Sequence, residues 1–485
     1  MERKGTKVNF LYNMVYQVAL MILPLITMPY VSRVLGAEGI GTYSYTYSIA
    51  QYFLLFGMLG VENYGNRSIA RVRDDEQKRS AVFSSIYTLQ FIIASISVIV
   101  YVLYIAMFSG NKLYAFLQVF YVLSGVFDIN WLFFGMEDFK LTVTRKVLVK
   151  IINVVLIFAF VKTSADLWKY LLVLSLGYFI AQSSMWLFAS KYIKFHFTRI
   201  NEAFKHFKDI LILFIPLVAT SIYRMMDKVM LGNFSTMQQV GFYENSEKLI
   251  NVCLCVISAF GAVMMPRMSN LYARSKYDEC RDLFVRSMEI AIFIGCAITF
   301  GISSIANDFI PIFYGTGYDA CVSITIMLSA TVLFITWACI VRTLYLIPTE
   351  KNKVYIYSVF LGAGVNVIIN WALIPRLASV GAAVGTIIAE VTVAVYQTIM
   401  VRKELDVSQC MKKSVPFIIF GSIMFLVVKI LPFEVGGNIG RLIAKIFIGA
   451  MVYLALSAIY FLKTKNKLFY DVIGKLMKTC QGLTL

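Results

Sequence analysis

Apolar stretches of about 20 residues follow one another along nearly the whole chain, separated by connections too short to hold a soluble domain. A helix of that length crosses a hydrocarbon core of roughly 30 Å, and lipid offers the backbone no hydrogen-bond partner, so such a chain folds as a bundle of spanning helices. The stretches lie near 9–32, 41–62, 81–108, 113–135, 147–162, 168–190, 209–231, 244–266, 287–306, 320–346, 354–374, 379–401, 414–431 and 441–462. Only 15% of residues are charged, against roughly a quarter in a soluble domain. The expected fold class is therefore all-α integral membrane, with about fourteen transmembrane helices. The first stretch follows Arg3, Lys4 and Lys7, but it is long for a signal peptide and lacks a small-residue cleavage site. It reads as the first span.

Charge alternates between successive connections. The N-terminus, 63–80, 136–146, 191–208, 267–286, 347–353, 402–413 and 463–485 together hold 32 Lys and Arg, whereas the opposite set holds about six. The positive-inside rule makes the first set cytoplasmic, together with both termini. Most of the net charge of +18 is thereby absorbed by topology, and no nucleic-acid partner is expected. The eight cysteines have no CxxC spacing and no neighbouring His, so neither a metal site nor a disulfide framework is expected.

An internal repeat is visible. Ile40-Gly41-Thr42-Tyr43 matches Val240-Gly241-Phe242-Tyr243 at a spacing of 200, and Glu137-Asp138-Phe139-Lys140 matches Glu350-Lys351-Asn352-Lys353 at 213. Ile152-Asn153-Val154-Val155 likewise matches Val365-Asn366-Val367-Ile368. An offset of six helices preserves orientation, which predicts two parallel six-helix bundles, 1–200 and 201–405, followed by helices 13 and 14 with a basic cytoplasmic tail in 406–485. Two-half bundles of this kind hold substrate near the midplane and expose it to either side in turn.

Polar stripes inside the spans supply the candidate site. Helix 7 carries Thr220, Ser221, Arg224, Asp227 and Lys228 at helical spacing, and helix 8 carries Glu244, Glu247, Lys248 and Asn251. Charges facing lipid at mid-depth are expensive, so these stripes should face a wet cavity or pair with one another in a structural network. Asn13 and Gln17 in helix 1, Asn366 and Asn370 in helix 11, and Thr386 and Glu390 in helix 12 form weaker stripes. Asp128 lies in helix 4, Arg342 at the cytoplasmic end of helix 10 and Arg33 at the outer end of helix 1. The substrate-binding candidates are Arg224, Lys228, Lys248, Arg33, Arg342, Asn13, Gln17 and Asn251. Those for ion coupling are Asp227, Glu247, Asp128 and Glu390. A basic-leaning cavity concentrates anions, and Arg grips phosphate oxygens bidentately. Pro24, Pro29 and Pro216 are candidate bends, and Gly381-Ala-Ala-Val-Gly385 is a packing motif. The tyrosines near helix 2 suit either sugar stacking or an interfacial belt. No phosphate-binding Gly-rich loop, HExxH or GxSxG motif is present, so neither enzymatic activity nor a cofactor is expected.

Three segments carry a resemblance: Leu35-Gly36-Ala37-Glu38-Gly39-Ile40-Gly41, Gly60-Val61-Glu62-Asn63-Tyr64-Gly65 leading to Arg67, and Trp131-Leu-Phe-Phe-Gly135-Met-Glu137. Ile347-Pro348-Thr349-Glu350-Lys351, with Asn366, Asn370 and Val380-Gly381-Ala382-Ala383, extends it over about residues 8–400. Together they resemble the oligosaccharide repeat-unit flippases (the Wzx type) of the multidrug/oligosaccharidyl-lipid/polysaccharide exporter superfamily. The resemblance implies a bacterial plasma-membrane protein that moves a polyprenyl-pyrophosphate-linked glycan among membrane lipids, driven by membrane potential or by H+ or Na+, with a polysaccharide polymerase as partner. A cation-coupled drug or metabolite exporter, a glycan polymerase or ligase, and a peptidoglycan-precursor flippase are the competing readings. No residue role is carried over from the family.

Overall fold

A computed structural model describes residues 2–431 and 437–464, and their side chains except at 2–22, 139, 216, 219, 220 and 222–224. The described residues are helix and short connections, with no strand among them. The chain divides into two compact units, Met1–Glu244 and Asn245–Leu485. Unit 1 holds α1 (Glu2–Met58), α2 (Val61–Arg71), α3 (Glu76–Phe108), α4 (Lys112–Leu117), α5 (Val119–Phe127), α6 (Asn130–Gly135), α7 (Phe139–Phe160), α8 (Leu167–Ser183), α9 (Trp186–Ala189), α10 (Ile200–Ala203), α11 (Phe207–Phe234) and the start of α12 (Met237–Ala273). Unit 2 continues with α13 (Tyr277–Tyr314), α14 (Asp319–Val341), a π-helical turn at Arg342–Leu346, α15 (Asn352–Val401), α16 (Val407–Ile430) and α17 (Gly437–Thr464). Among the described residues nine helical segments are by themselves long and apolar enough to cross a membrane.

The helices are inside-out by the standards of a soluble protein. On α3, Ile96, Ile99, Leu103 and Met107 are exposed while Ser84, Thr88 and Gln90 are buried. In lipid this is the favourable arrangement, because apolar side chains gain nothing by leaving the hydrocarbon and polar ones find partners only inside.

Two long helices each carry two of the apolar stretches. α1 runs through Pro24 and Pro29 and breaks at Gly36, whose φ of 68° favours glycine. α15 breaks at Ala378, φ 49°. Glu137 and Glu350, just ahead of α7 and α15 and 213 residues apart, both adopt the left-handed conformation, with φ of 59° and 57°.

The span expected over 113–135 is present as one candidate crossing, Lys112–Gly135, interrupted into three pieces, α4, α5 and α6. The four carbonyls from Gly125 to Asp128, freed at the break, each receive a side-chain donor. Gln90 Nε2 donates to Gly125 O and Asp128 O at 2.8 and 2.7 Å. Tyr87 Oη donates to Val126 O at 3.0 Å, and Trp186 Nε1 to Phe127 O at 3.1 Å. Trp131 Nε1 then donates to Gln90 Oε1 at 3.0 Å, fixing the amide. Two of the resemblance motifs meet here: a Cβ on Gly65 would lie 2.5 Å from the Trp131 ring, and one on Gly135 would lie 2.7 Å from Ile69.

A second device holds the segment 192–198, which runs along α3. The backbone N–H groups of Lys194, His196 and Thr198 donate to Ser80 Oγ, Ser84 Oγ and Thr88 Oγ1 at 3.0, 3.2 and 3.2 Å. Alternation along an extended chain thus matches the four-residue pitch of hydroxyls on one helix face. Just beyond, His206 bridges Tyr64 Oη (2.8 Å) and Ser85 Oγ (3.1 Å) through its two ring nitrogens.

In unit 2, α13 is the central element, and α16 and α17 pack on it through Phe417, Met424, Tyr453 and Phe461. Lys413 reaches the buried Glu289 (3.4 Å), and Arg441 and Lys445 clasp the buried Asp308 (2.7 and 2.5 Å). Tyr453 Oη donates to Phe293 O at 2.7 Å. Gly385 admits the Asn370 side chain, which a Cβ would meet at 2.1 Å, consistent with packing as the role of the 381–385 motif.

Replacing Gln90 with Leu strips two buried carbonyls and one indole N–H of their partner, so unfolding in detergent should show a loss of about 3 kcal/mol; an unchanged midpoint contradicts this account of the break. Burial pushes the His206 imidazole below its ordinary value of 6.5, with Asp209 opposing and Lys205 assisting. Its contribution to stability is complete above that ordinary value and is lost as pH falls through the depressed one, because the unfolded chain takes up the proton first. The wild-type melting temperature should therefore drop more between pH 7 and pH 5 than that of His206→Gln.

Candidate functional site

The charged stripe of α11 meets the first residues of α12 and the second half of α1 within unit 1. Lys228 Nζ lies 2.7 Å from Glu244 Oε2, both groups largely buried. Ser44 Oγ donates to the same oxygen at 2.8 Å. One residue before each partner, Tyr243 Oη donates to Asp227 Oδ2 at 2.6 Å. Two adjacent side-chain contacts therefore tie α11 to α12, and Ser44 of α1 joins one of them.

What brings these helices so close is a reciprocal glycine contact. A Cβ on Gly41 would sit 1.7 Å from Met237 O, and one on Gly241 would sit 1.9 Å from Ala37 O. Each glycine thus faces the residue four before the other, and the partners differ by the repeat spacing of 200, as do Ser44 and Glu244. No residue larger than glycine fits at either position without moving backbone.

Beside this network runs a ladder of tyrosines. Ring centroids are 5.0 Å apart for Tyr170 and Tyr43, 5.4 Å for Tyr43 and Tyr47, 4.8 Å for Tyr47 and Tyr121, and 4.8 Å for Tyr121 and Tyr178. Tyr47 Oη donates to Tyr121 Oη at 3.3 Å and receives Gln51 Nε2 at 3.1 Å. Tyr47 is within electrostatic reach of Lys228 and Glu244, and Tyr178 of Asp128 and Glu62. Aromatic faces lined with hydroxyls and amides offer apolar and hydrogen-bonding contacts together.

Asp128 itself sits in a polar knot. Its Oδ1 accepts from the backbone and side-chain nitrogens of Asn130 (3.0 and 2.7 Å), and Oδ2 accepts from Gln182 Nε2 at 3.0 Å. Arg145 donates to Asn130 Oδ1 at 2.8 Å, to Gln182 Oε1 at 3.2 Å and to Ala181 O. The geometry is that of a carboxylate bracing the α5–α6 break.

Of the other candidates, Arg33 is exposed near the α1 break in unit 1. Lys248, Glu247, Asn251, Arg342 and Glu390 belong to unit 2, where Lys248, Glu247 and Glu390 are half-buried and Asn251 is exposed. Arg342 opens the π-helical turn and stacks 5.4 Å from the Tyr355 ring centroid. The side chains of Asn13, Gln17 and Arg224, with Thr220 and Pro216, lie outside the described residues. Asp227 and Lys228 at the α11–α12 contact, Asp128 at the α5–α6 break and Arg33 near the α1 break thus lie in unit 1 but in separate surroundings. Ser44, Gln51, Arg145 and Gln182 complete these surroundings without having stood out in the sequence; only the offset of 200 pointed from Ser44 to Glu244.

Comparison with known proteins agrees with this architecture. In sequence, the chain is 24% identical over 404 residues to a protein of Shigella dysenteriae named "Putative O-antigen transporter", covering 80% of this chain and 98% of that one. A protein of the same name from Escherichia coli K12 is 22% identical over 408 residues, covering 81% and 96%. In structure, the lipid II flippase MurJ in an inward closed conformation superposes with a TM-score of 0.74 over 93% of this chain and 99% of that chain, at 15% identity. An inward-facing multidrug-resistance MATE transporter gives 0.59 over 86% and 98%, again at 15%. Those two likenesses show that the chain shares the fold of these two transporters. Residues 7–272 match the family model for polysaccharide biosynthesis proteins, more than half of the chain, and the protein belongs to that family.

Proposed function

We propose that this protein is a flippase that carries polyprenyl-diphosphate-linked oligosaccharide units from the cytoplasmic to the outer leaflet for assembly of a surface polysaccharide. The observation that carries the reading is the Lys228–Glu244–Ser44 network beside the tyrosine ladder of unit 1. Hydroxyl-bearing tyrosine rings suit sugar rings, and a buried lysine, with Arg224 one helical turn earlier, suits a diphosphate. The O-antigen transporters that the chain resembles over most of its length support the same cargo class. Transport, not catalysis, is the activity.

The chain crosses the membrane fourteen times in this reading, as two parallel six-helix bundles, 1–200 and 201–405, plus a C-terminal pair, with both termini cytoplasmic. Transport proceeds by alternating access. The crossing of α1 and α12 at Gly41 and Gly241 lies toward the outer side and holds that side shut, and its separation releases the glycan. Outward movement of about two negative charges is favoured by roughly 4.6 kcal/mol per 100 mV, interior negative. The buried Asp227, held by Tyr243, favours a second scheme in which H+ or Na+ binds as the cargo leaves.

Cells lacking the protein should accumulate polyprenyl-linked oligosaccharide on the cytoplasmic side. Wild type should restore export; Lys228→Gln should not, at equal membrane level. Unchanged glycan with altered drug sensitivity would move the assignment to a drug exporter. In purified protein, Lys228→Ala removes the cation beside a buried carboxylate and should cost about 3 kcal/mol. Adding Glu244→Ala should return most of that loss, and strictly additive costs would rule out the pairing as a source of stability.

A further inference from the structure

Unit 2 has a cavity at the end where its basic connections gather, away from the residues discussed above. It measures about 530 Å³, within the range of small-ligand sites, and is walled by the end of α12, the start of α13, the segment after the π-helical turn and the residues following α15. A second cavity of about 410 Å³ adjoins it, and Arg281, Lys403 and Glu404 line both.

The charges in the walls are not equivalent. Glu404 is taken by Lys351 and by the hydroxyl of Tyr345. Asp282 is paired with Arg286 at 2.7 Å, and Asp406 accepts the Gln409 N–H at 2.9 Å as the cap of α16. Each carboxylate is satisfied locally. Arg281 and Lys403 have no hydrogen bond or ion pair among the described residues, so the charge left for a visitor is positive. Tyr272 and Tyr277, with ring centroids 6.4 Å apart, add hydroxyl-bearing rings to the wall.

We propose that this cavity binds the phosphate headgroup of an anionic membrane lipid. Arg281 supplies a fork for two phosphate oxygens and Lys403 a point charge, while Tyr272 and Tyr277 add amphipathic rings of the kind favoured at a membrane surface. A polar cavity at helix ends, opening where a membrane surface lies, is reached by lipid headgroups more readily than by a soluble anion, because the anionic leaflet concentrates them there. The inference rests on the proposed sidedness only for which leaflet supplies the lipid, and not on the glycan.

The test uses full-length protein in a neutral detergent, titrated with short-chain phosphatidylglycerol, with phosphatidylcholine and glycerol phosphate as comparison ligands. Arg281→Gln/Lys403→Gln should bind phosphatidylglycerol about tenfold more weakly than wild type. Arg67→Gln/Arg71→Gln, which removes the same charge from exposed positions of unit 1, should bind as wild type does. Equal affinity in all three proteins, or equal loss in both variants, overturns the site. Glycerol phosphate binding as tightly as the lipid overturns the lipid assignment in favour of a soluble phosphate. Should the double variant melt early, Lys403→Gln alone, at an exposed side chain, must show the same direction of change. No glycan is present, so the result stands whether or not the cargo assignment does.

Discussion

A backbone carbonyl left without a donor in hydrocarbon costs several kcal/mol, and most of the fold can be read as the avoidance of that cost. Continuous helices avoid it trivially. The break between α5 and α6 does not, and there the chain spends Gln90, Tyr87 and Trp186 to cover four successive carbonyls. Once those three side chains are committed, the positions of α3 and α9 against α5 follow. Asp128, Asn130, Gln182 and Arg145 then close the other side of the break and bring α7 and α8 into place.

The same economy explains the attachment of the C-terminal pair. Asp308 would be costly if buried alone in α13, and Arg441 and Lys445 of α17 neutralise it. Glu289 with Lys413 does the same for α16. These ion pairs specify which faces of α16 and α17 turn inward, where apolar packing in lipid discriminates poorly.

Apolar length and basic connections were enough to read the helical membrane architecture from the sequence, because solvent imposes both on every span separately. Glu137 and Glu350, paired in the sequence at a spacing of 213, share a left-handed backbone that no composition or periodicity signals. The glycines of the resemblance motifs carried packing that only contact reveals, such as Gly65 beneath Trp131. The hydroxyl row Ser80, Ser84 and Thr88 looked like an ordinary helix face, and its partner is an irregular segment over a hundred residues away. The site was only partly legible for the same reason. Lys228 stood out as a charge in a span and the tyrosines near helix 2 as aromatic faces, but Ser44 is unremarkable until folding brings it to Glu244.

The contact of Gly41 with Met237 and of Gly241 with Ala37 exchanges into itself when the repeat partners are swapped. That property defines an isologous interface, the kind by which two identical subunits meet across a two-fold axis. Here both sides of the contact lie in one chain, so it forms at any concentration, and its two sides need not be alike: position 44 is a serine and position 244 a carboxylate.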